Sequence, residues 1–173
     1  NTAANQTFNT TDVLDGGDGN DTLNVTIGAA TTYQANNVSN IETVDATFTQ
    51  AGTLSLLGST GITSLNSNGS TAAAVFSNIG STDVALSTTS TNQSATFGFT
   101  AAAVSGSADT ATLTLNGQTA GTNTIAGVET LNIVSSGSAN ALTALTAAAA
   151  STLNISGDQT LNLGTANTVS TTI

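Results

Sequence analysis

The sequence predicts an all-β fold, a parallel β-solenoid, and three observations carry that expectation. Short runs alternate apolar and small polar residues along the whole chain, like motifs recur every 18 to 22 residues, and a longer period of about 88 residues lies over both. The competing architecture, which alternation alone also permits, is a pair of tandem β-sandwiches. Recurrence of like motifs at like spacing favours the solenoid, because it stacks Leu on Leu, Thr on Thr and Asn on Asn.

Taken in order, the strand signals are TLNVTI (22–27), IETVDATF (41–48), TLSLL (53–57) and ITSLN (62–66). They continue as ATFGFT (95–100), ATLTLN (111–116), VETLNIV (128–134), STLNIS (151–156) and QTLNLG (159–164). Each is rich in Val, Ile, Leu and Thr, which suit a pleated, half-buried surface. Asn, Gly, Ser and Asp fill the intervals, as strand-ending turns require, and there is no Pro. One segment breaks the pattern: in NALTALTAAAAS (140–151), Leu142, Leu145 and Ala149 share a helical face, which predicts a short helical turn near 141–150.

The spacing between motifs sets the coil length. Thr22 to Thr43 and Thr43 to Ser64 are each 21 residues, and Thr130 to Thr152 is 22. The longer period is read from separated anchors: Asp21 and Asp109 lie 88 residues apart, Glu42 and Glu129 lie 87 apart, and Leu54 and Leu142 lie 88 apart. A duplication follows, with residues 1–108 as a first solenoid repeat of about four coils and 109–173 as a second, truncated one. The start at Asn1 and the finish in NTVSTTI lead us to expect a segment of a longer chain.

Composition narrows the chemistry. The chain has ten acidic side chains and no Lys, Arg or His, for a formal charge of −10. Nucleic acid and anionic membrane surfaces are therefore unsuitable partners, since both are gripped by basic patches. Clustered carboxylates must stay in water, take up protons or bind a metal ion. Solenoid lyases and hydrolases work with bases, carboxylate pairs and basic residues for acidic sugars. Nothing in the spacing recommends such a set, so the expected class is not an enzyme. With 38% hydrophobic residues and no Cys, a core is expected that does not depend on disulfides. No apolar stretch is long enough for a membrane-spanning helix, so no membrane insertion is expected.

The acidic, glycine-rich stretch is the most specific feature. Gly16-Gly17-Asp18-Gly19-Asn20-Asp21-Thr22-Leu23-Asn24 matches every position of the calcium-binding nonapeptide G-G-x-G-x-D-x-U-x, where U is a large apolar residue. Calcium takes six to eight oxygens, so a short loop must turn carbonyls and a carboxylate inward together, and glycines permit that turn. Asp21 is the expected carboxylate ligand and Leu23 the plug beneath it. Nine residues earlier, Asp12 and Leu14 occupy the same two places without the glycines. Asp15 adds a further carboxylate, so the candidate metal set is Asp12, Asp15, Gly16, Gly17, Asp18, Gly19, Asn20 and Asp21, with Ca²⁺ as the cofactor. An EF-hand is excluded, since its closing Glu and flanking helices are missing. Every other acid, Asp45, Asp83 and Asp158 included, is expected as an exposed turn residue, though Asp109 and Glu129 mirror Asp21 and Glu42.

LDGGDGNDTLNV followed by IETV, then GVETLNI and STLNISGDQTL, resembles the bacterial RTX-type surface-layer proteins and their relatives among large type I-secreted adhesins. That resemblance implies a calcium-stabilised solenoid, secreted to the cell surface through a C-terminal signal outside this segment. It implies self-assembly into an extracellular lattice as the function, with the chain itself as partner and lipopolysaccharide held by other domains. The alternative it implies is a stalk or ligand-binding module of a large adhesin.

Overall fold

Eighteen strands follow one another in the computed structural model, which describes residues 8–169. In chain order they are β1 (Leu14–Asp15), β2 (Thr22–Ile27), β3 (Thr32–Gln34), β4 (Val38–Ser39), β5 (Thr43–Phe48), β6 (Gly52–Ser55), β7 (Ser64–Asn68), β8 (Ala74–Ile79) and β9 (Ala85–Thr89). They continue as β10 (Ala95–Phe99), β11 (Thr110–Asn116), β12 (Thr122–Ile125), β13 (Thr130–Ser136), β14 (Asn140–Ala141), β15 (Ala144–Ala147), β16 (Thr152–Gly157), β17 (Leu161–Asn162) and β18 (Thr168–Val169). All pairings are parallel, so the fold is a β-solenoid of about seven turns. Antiparallel sandwiches are excluded by the same pairings.

Two seven-stranded sheets enclose the core. The first runs β2-β5-β7-β9-β11-β13-β16 and the second β3-β6-β8-β10-β12-β15-β18, each coil contributing one strand to each sheet. The two-stranded ladder β1-β4 lies where the chain returns from the second sheet to the first, and β14-β17 where it leaves the first for the second. The register matches the sequence spacing: Thr22, Thr43 and Ser64 are successive Cα partners, and so are Thr130 and Thr152. Four strand steps separate β2 from β11 in the first sheet.

Period-two alternation becomes burial because the inward residues stack coil on coil. In the second sheet Tyr33, Leu54, Phe76, Phe97, Ile125 and Ala147 form one inward rank, each buried. Their outward neighbours form a second rank, Thr32, Thr53, Val75, Thr96, Thr124, Thr146 and Thr168, every member β-branched. Coil length is uniform except once. Ala95 in β10 partners Asn123 in β12, a step of 28 residues, whereas Thr32 to Thr53 is 21. The surplus is looped out between β10 and β11, so the ladders continue through it.

The helical turn predicted near 141–150 is wrong, and there is no helix among the described residues. Residues 140–151 supply β14 and β15 instead, with Leu142 and Leu145 buried but Ala149 exposed. A helical face carrying those three would bury all of them. Pairing of β15 with β12 on one side and β18 on the other overrides the helical preference of an Ala-rich run.

A polar cluster is buried inside the stack at the turn between β11 and β12. Gln118 is fully buried, and its Oε1 accepts from Thr88 Oγ1 at 2.5 Å and Asn123 Nδ2 at 2.8 Å. Gln118 Nε2 donates to the carbonyls of Gln93 (3.1 Å) and Ala120 (2.9 Å), and Gln118 N–H donates to Asn140 Oδ1 at 2.9 Å. Asn140 Nδ2 in turn reaches Ser135 Oγ and the Ser138 carbonyl, both at 2.9 Å. Buried amides are tolerable only when satisfied in this way.

Candidate metal centre

The acidic loop is held between the first two coils. β1 pairs with β4, Gly16 N–H donates to the Ser39 carbonyl at 3.1 Å, and Leu14 and Leu23 pack against the core from either side of the loop. Gly17 and Gly19 take φ of +80° and +126°, which side chains resist, so the loop can reverse tightly over Asp21. Gly16 is required for a different reason. A Cβ there would collide with the Asn40 main-chain oxygen and lie 2.8 Å from Asp21 Cβ and 2.9 Å from Asp21 Cγ.

Asp21 is locked by its main chain. Its N–H donates to Glu42 Oε2 at 2.7 Å, while its carbonyl accepts from the N–H groups of Glu42 (3.2 Å) and Thr43 (3.0 Å) one coil along. The side chain is different: Asp21 Oδ2 is buried and has no hydrogen-bond partner among the described residues. A Cβ on Gly19 would lie 4.0 Å from that oxygen, which puts it under the glycine loop. A buried carboxylate oxygen with no donor is costly, and a proton or a cation can relieve the cost. Two oxygens beside the loop are of the kind a hard cation takes: the Asn40 carbonyl against which Gly16 packs, and the Glu42 carboxylate that accepts from the Asp21 N–H.

The other candidate residues are distributed unevenly. Asp15 lies beside the loop, where its Oδ1 accepts from Asn40 Nδ2 at 2.8 Å and Gly17 N–H at 3.1 Å. Asp12 is engaged in its own turn, its carboxylate accepting from Asn9 N–H and Asn9 Nδ2, both at 2.9 Å. Asp18 and Asn20 are exposed on the loop. Among the described residues no three acidic side chains converge as a ready-made metal cluster. Asn40 was missed by the sequence reading. The signal was the 21-residue step itself, since Asn40 to Glu42 precede Thr43 as the loop precedes Thr22.

The two Asn40 and Gly17 hydrogen bonds, the Asn40 one foremost, favour the charged form of Asp15 and hold its carboxyl below the usual aspartate value. The lowered native value means the unfolded chain binds the proton first. The resulting stability is complete above the usual aspartate range and is lost as pH falls through it to the native value. An NMR titration of the Asp15 carboxyl should therefore move to higher pH in Asn40→Ala. An unchanged midpoint would remove the assigned cause.

Asp109 and Glu129 repeat the main-chain lock. Asp109 N–H donates to Glu129 Oε2 at 2.9 Å, and the Asp109 carbonyl accepts from Glu129 and Thr130, both at 3.0 Å. The side chains differ, because Asp109 Oδ2 accepts from Gly106 N–H at 3.0 Å. A main-chain donor thus satisfies a carboxylate oxygen of Asp109, whereas Asp21 Oδ2 has none. Asp45 is also spoken for, by Asn66 Nδ2 (3.2 Å) and Asn68 Nδ2 (3.0 Å).

Comparison with protein-family models, with curated proteins and with solved structures finds no match for this chain.

Proposed function

We propose that the chain is a structural segment of a calcium-dependent, secreted bacterial surface-layer protein that assembles with copies of itself outside the cell. One observation carries the reading. Asp21 Oδ2 is buried without a donor beneath a complete nonapeptide, in a chain with no basic side chain to neutralise it. Asp21 would be the carboxylate ligand, with Asp15, Asn40 and the Gly16–Asn20 loop as neighbouring oxygen sources. The ion would supply the missing positive charge and join the first coil to the second. Calcium is abundant outside cells and scarce within them, so binding energy becomes folding energy after export.

Calcium titration followed by thermal unfolding, circular dichroism and negative-stain microscopy tests this. At a calcium concentration about 100 times Kd, stability should rise by about 2.7 kcal/mol, and ordered assemblies should form. Asp21→Asn should abolish the calcium response. Without calcium its stability should equal or exceed that of the parent, because a buried charge is removed. Indifference of the parent to EDTA would sink the proposal. Calcium-stiffened monomers that never assemble would instead point to an adhesin stalk, for which seven coils at about 4.8 Å each provide a spacer.

A further inference from the structure

The sequence contains two Asn-Gly dipeptides, Asn68-Gly69 and Asn116-Gly117. With no Cβ on glycine, its main-chain nitrogen can approach the side-chain carbon of the preceding asparagine with little hindrance. The fold gives the two pairs equivalent places. Asn68 ends β7 and Asn116 ends β11, on either side of β9, and the two glycines have φ of +56° and +73°. Both glycines also line the same open groove of about 430 Å³, alongside Ser90 and Ser138, so water reaches both.

Their hydrogen bonds differ. Asn68 Nδ2 donates to Asp45 Oδ2 at 3.0 Å, and Gly69 N–H donates to the Thr89 carbonyl at 2.9 Å. Both the amide that would leave and the nitrogen that would attack are therefore occupied. Asn116 is exposed, and neither its side chain nor the Gly117 N–H makes a hydrogen bond among the described residues. Only the Asn116 carbonyl is tied, by Ser90 N–H at 2.9 Å.

We infer that Asn116 is a site of self-catalysed deamidation and that Asn68 is protected from it. The Gly117 nitrogen loses its proton to water or hydroxide and attacks Asn116 Cγ, forming the C–N bond of a five-membered succinimide. The Cγ–Nδ2 bond breaks and ammonia leaves with a proton from solvent. Water then adds to either ring carbonyl and opens the ring to an aspartyl or isoaspartyl linkage. The net change consumes one water and releases one ammonia, with no oxidation or reduction. The product adds a negative charge at the end of β11 to a chain that has no cation to offset it. The isoaspartyl form also lengthens the main chain beside the Ser90 hydrogen bond.

Digestion before aspartate separates the sites, since 45–82 carries Asn68 and 109–157 carries Asn116. After incubation of the folded chain in warm, mildly alkaline buffer, fragment 109–157 should be converted several-fold faster than 45–82, its aspartyl product read as a new cut before residue 116 and its isoaspartyl product as the intact fragment with the amide-to-acid mass shift. In urea the two rates should converge, because the protecting hydrogen bonds are lost. In folded Asp45→Asn, Asn68 should speed up, read from fragment 21–82. Equal or faster reaction at Asn68 in the folded parent would overturn the inference. So would an inert Asn116 over a period in which the urea sample converts.

Discussion

Phe76→Ala should lower the free energy of unfolding by about 4 kcal/mol, measured by urea denaturation, because it leaves a ring-sized cavity in the core. Phe76 is fully buried between two other rings. Phe48 meets it edge-on at 5.4 Å between centroids, and Phe97 stacks on it at 5.3 Å with 4° between planes. The sequence has five Phe, one Tyr and no Trp, so these three rings are half of its aromatic side chains. Neighbouring coils are rigidly registered by their ladders and cannot collapse into the gap. Phe97→Leu, which keeps most of the volume, should cost less than about 1.5 kcal/mol. A loss below about 1 kcal/mol for Phe76→Ala would show that the stack relaxes freely, contrary to the tight packing expected of protein interiors.

The second large effect comes from a polar residue. Gln118→Leu should destabilise by about 3 kcal/mol, although leucine is the more hydrophobic side chain and fits a similar volume. It strips partners from Thr88 Oγ1, Asn123 Nδ2 and the carbonyls of Gln93 and Ala120, all in the buried cluster. Leaving buried donors and acceptors unmade costs more than the bonds contribute when made. Thr88→Val removes one donor and should cost about 1 kcal/mol by the same measurement. If Gln118→Leu proved neutral, the cluster would be dispensable filler rather than what holds the turn between β11 and β12 closed.

Much of this was legible because a solenoid repeats its own register. Thr22, Thr43 and Ser64 were recognisable as partners from spacing alone, and the same step separates Asp21 from Glu42, whose contact only the structure reveals. Spacing does not say which turn residues point inward. Gln118, Asn123 and Asn140 sit among turn-forming residues, and nothing in NGQTAGTNT distinguishes an inward amide from a solvated one. Leu142 and Leu145 misled for another reason: three-residue spacing suits a helix and a strand-turn-strand corner alike. In the acidic loop the pattern indicated Asp21. It did not reveal that Asp12 turns to Asn9 or that Asn40 reaches in from the next coil, because those contacts depend on how β1 lies against β4.

The single lengthened step between β10 and β12 has a consequence for mechanics. Ladder hydrogen bonds in this fold run along the stack, with β2 and β16 at opposite ends of one sheet. Tension between those ends loads the bonds one rung at a time, as in opening a zip, so the stack should extend in successive releases. Coils of 20 to 22 residues would yield nearly equal increments, with one longer increment where the loop between β10 and β11 unreels. A force-extension trace would then read out the coil lengths of the chain in order.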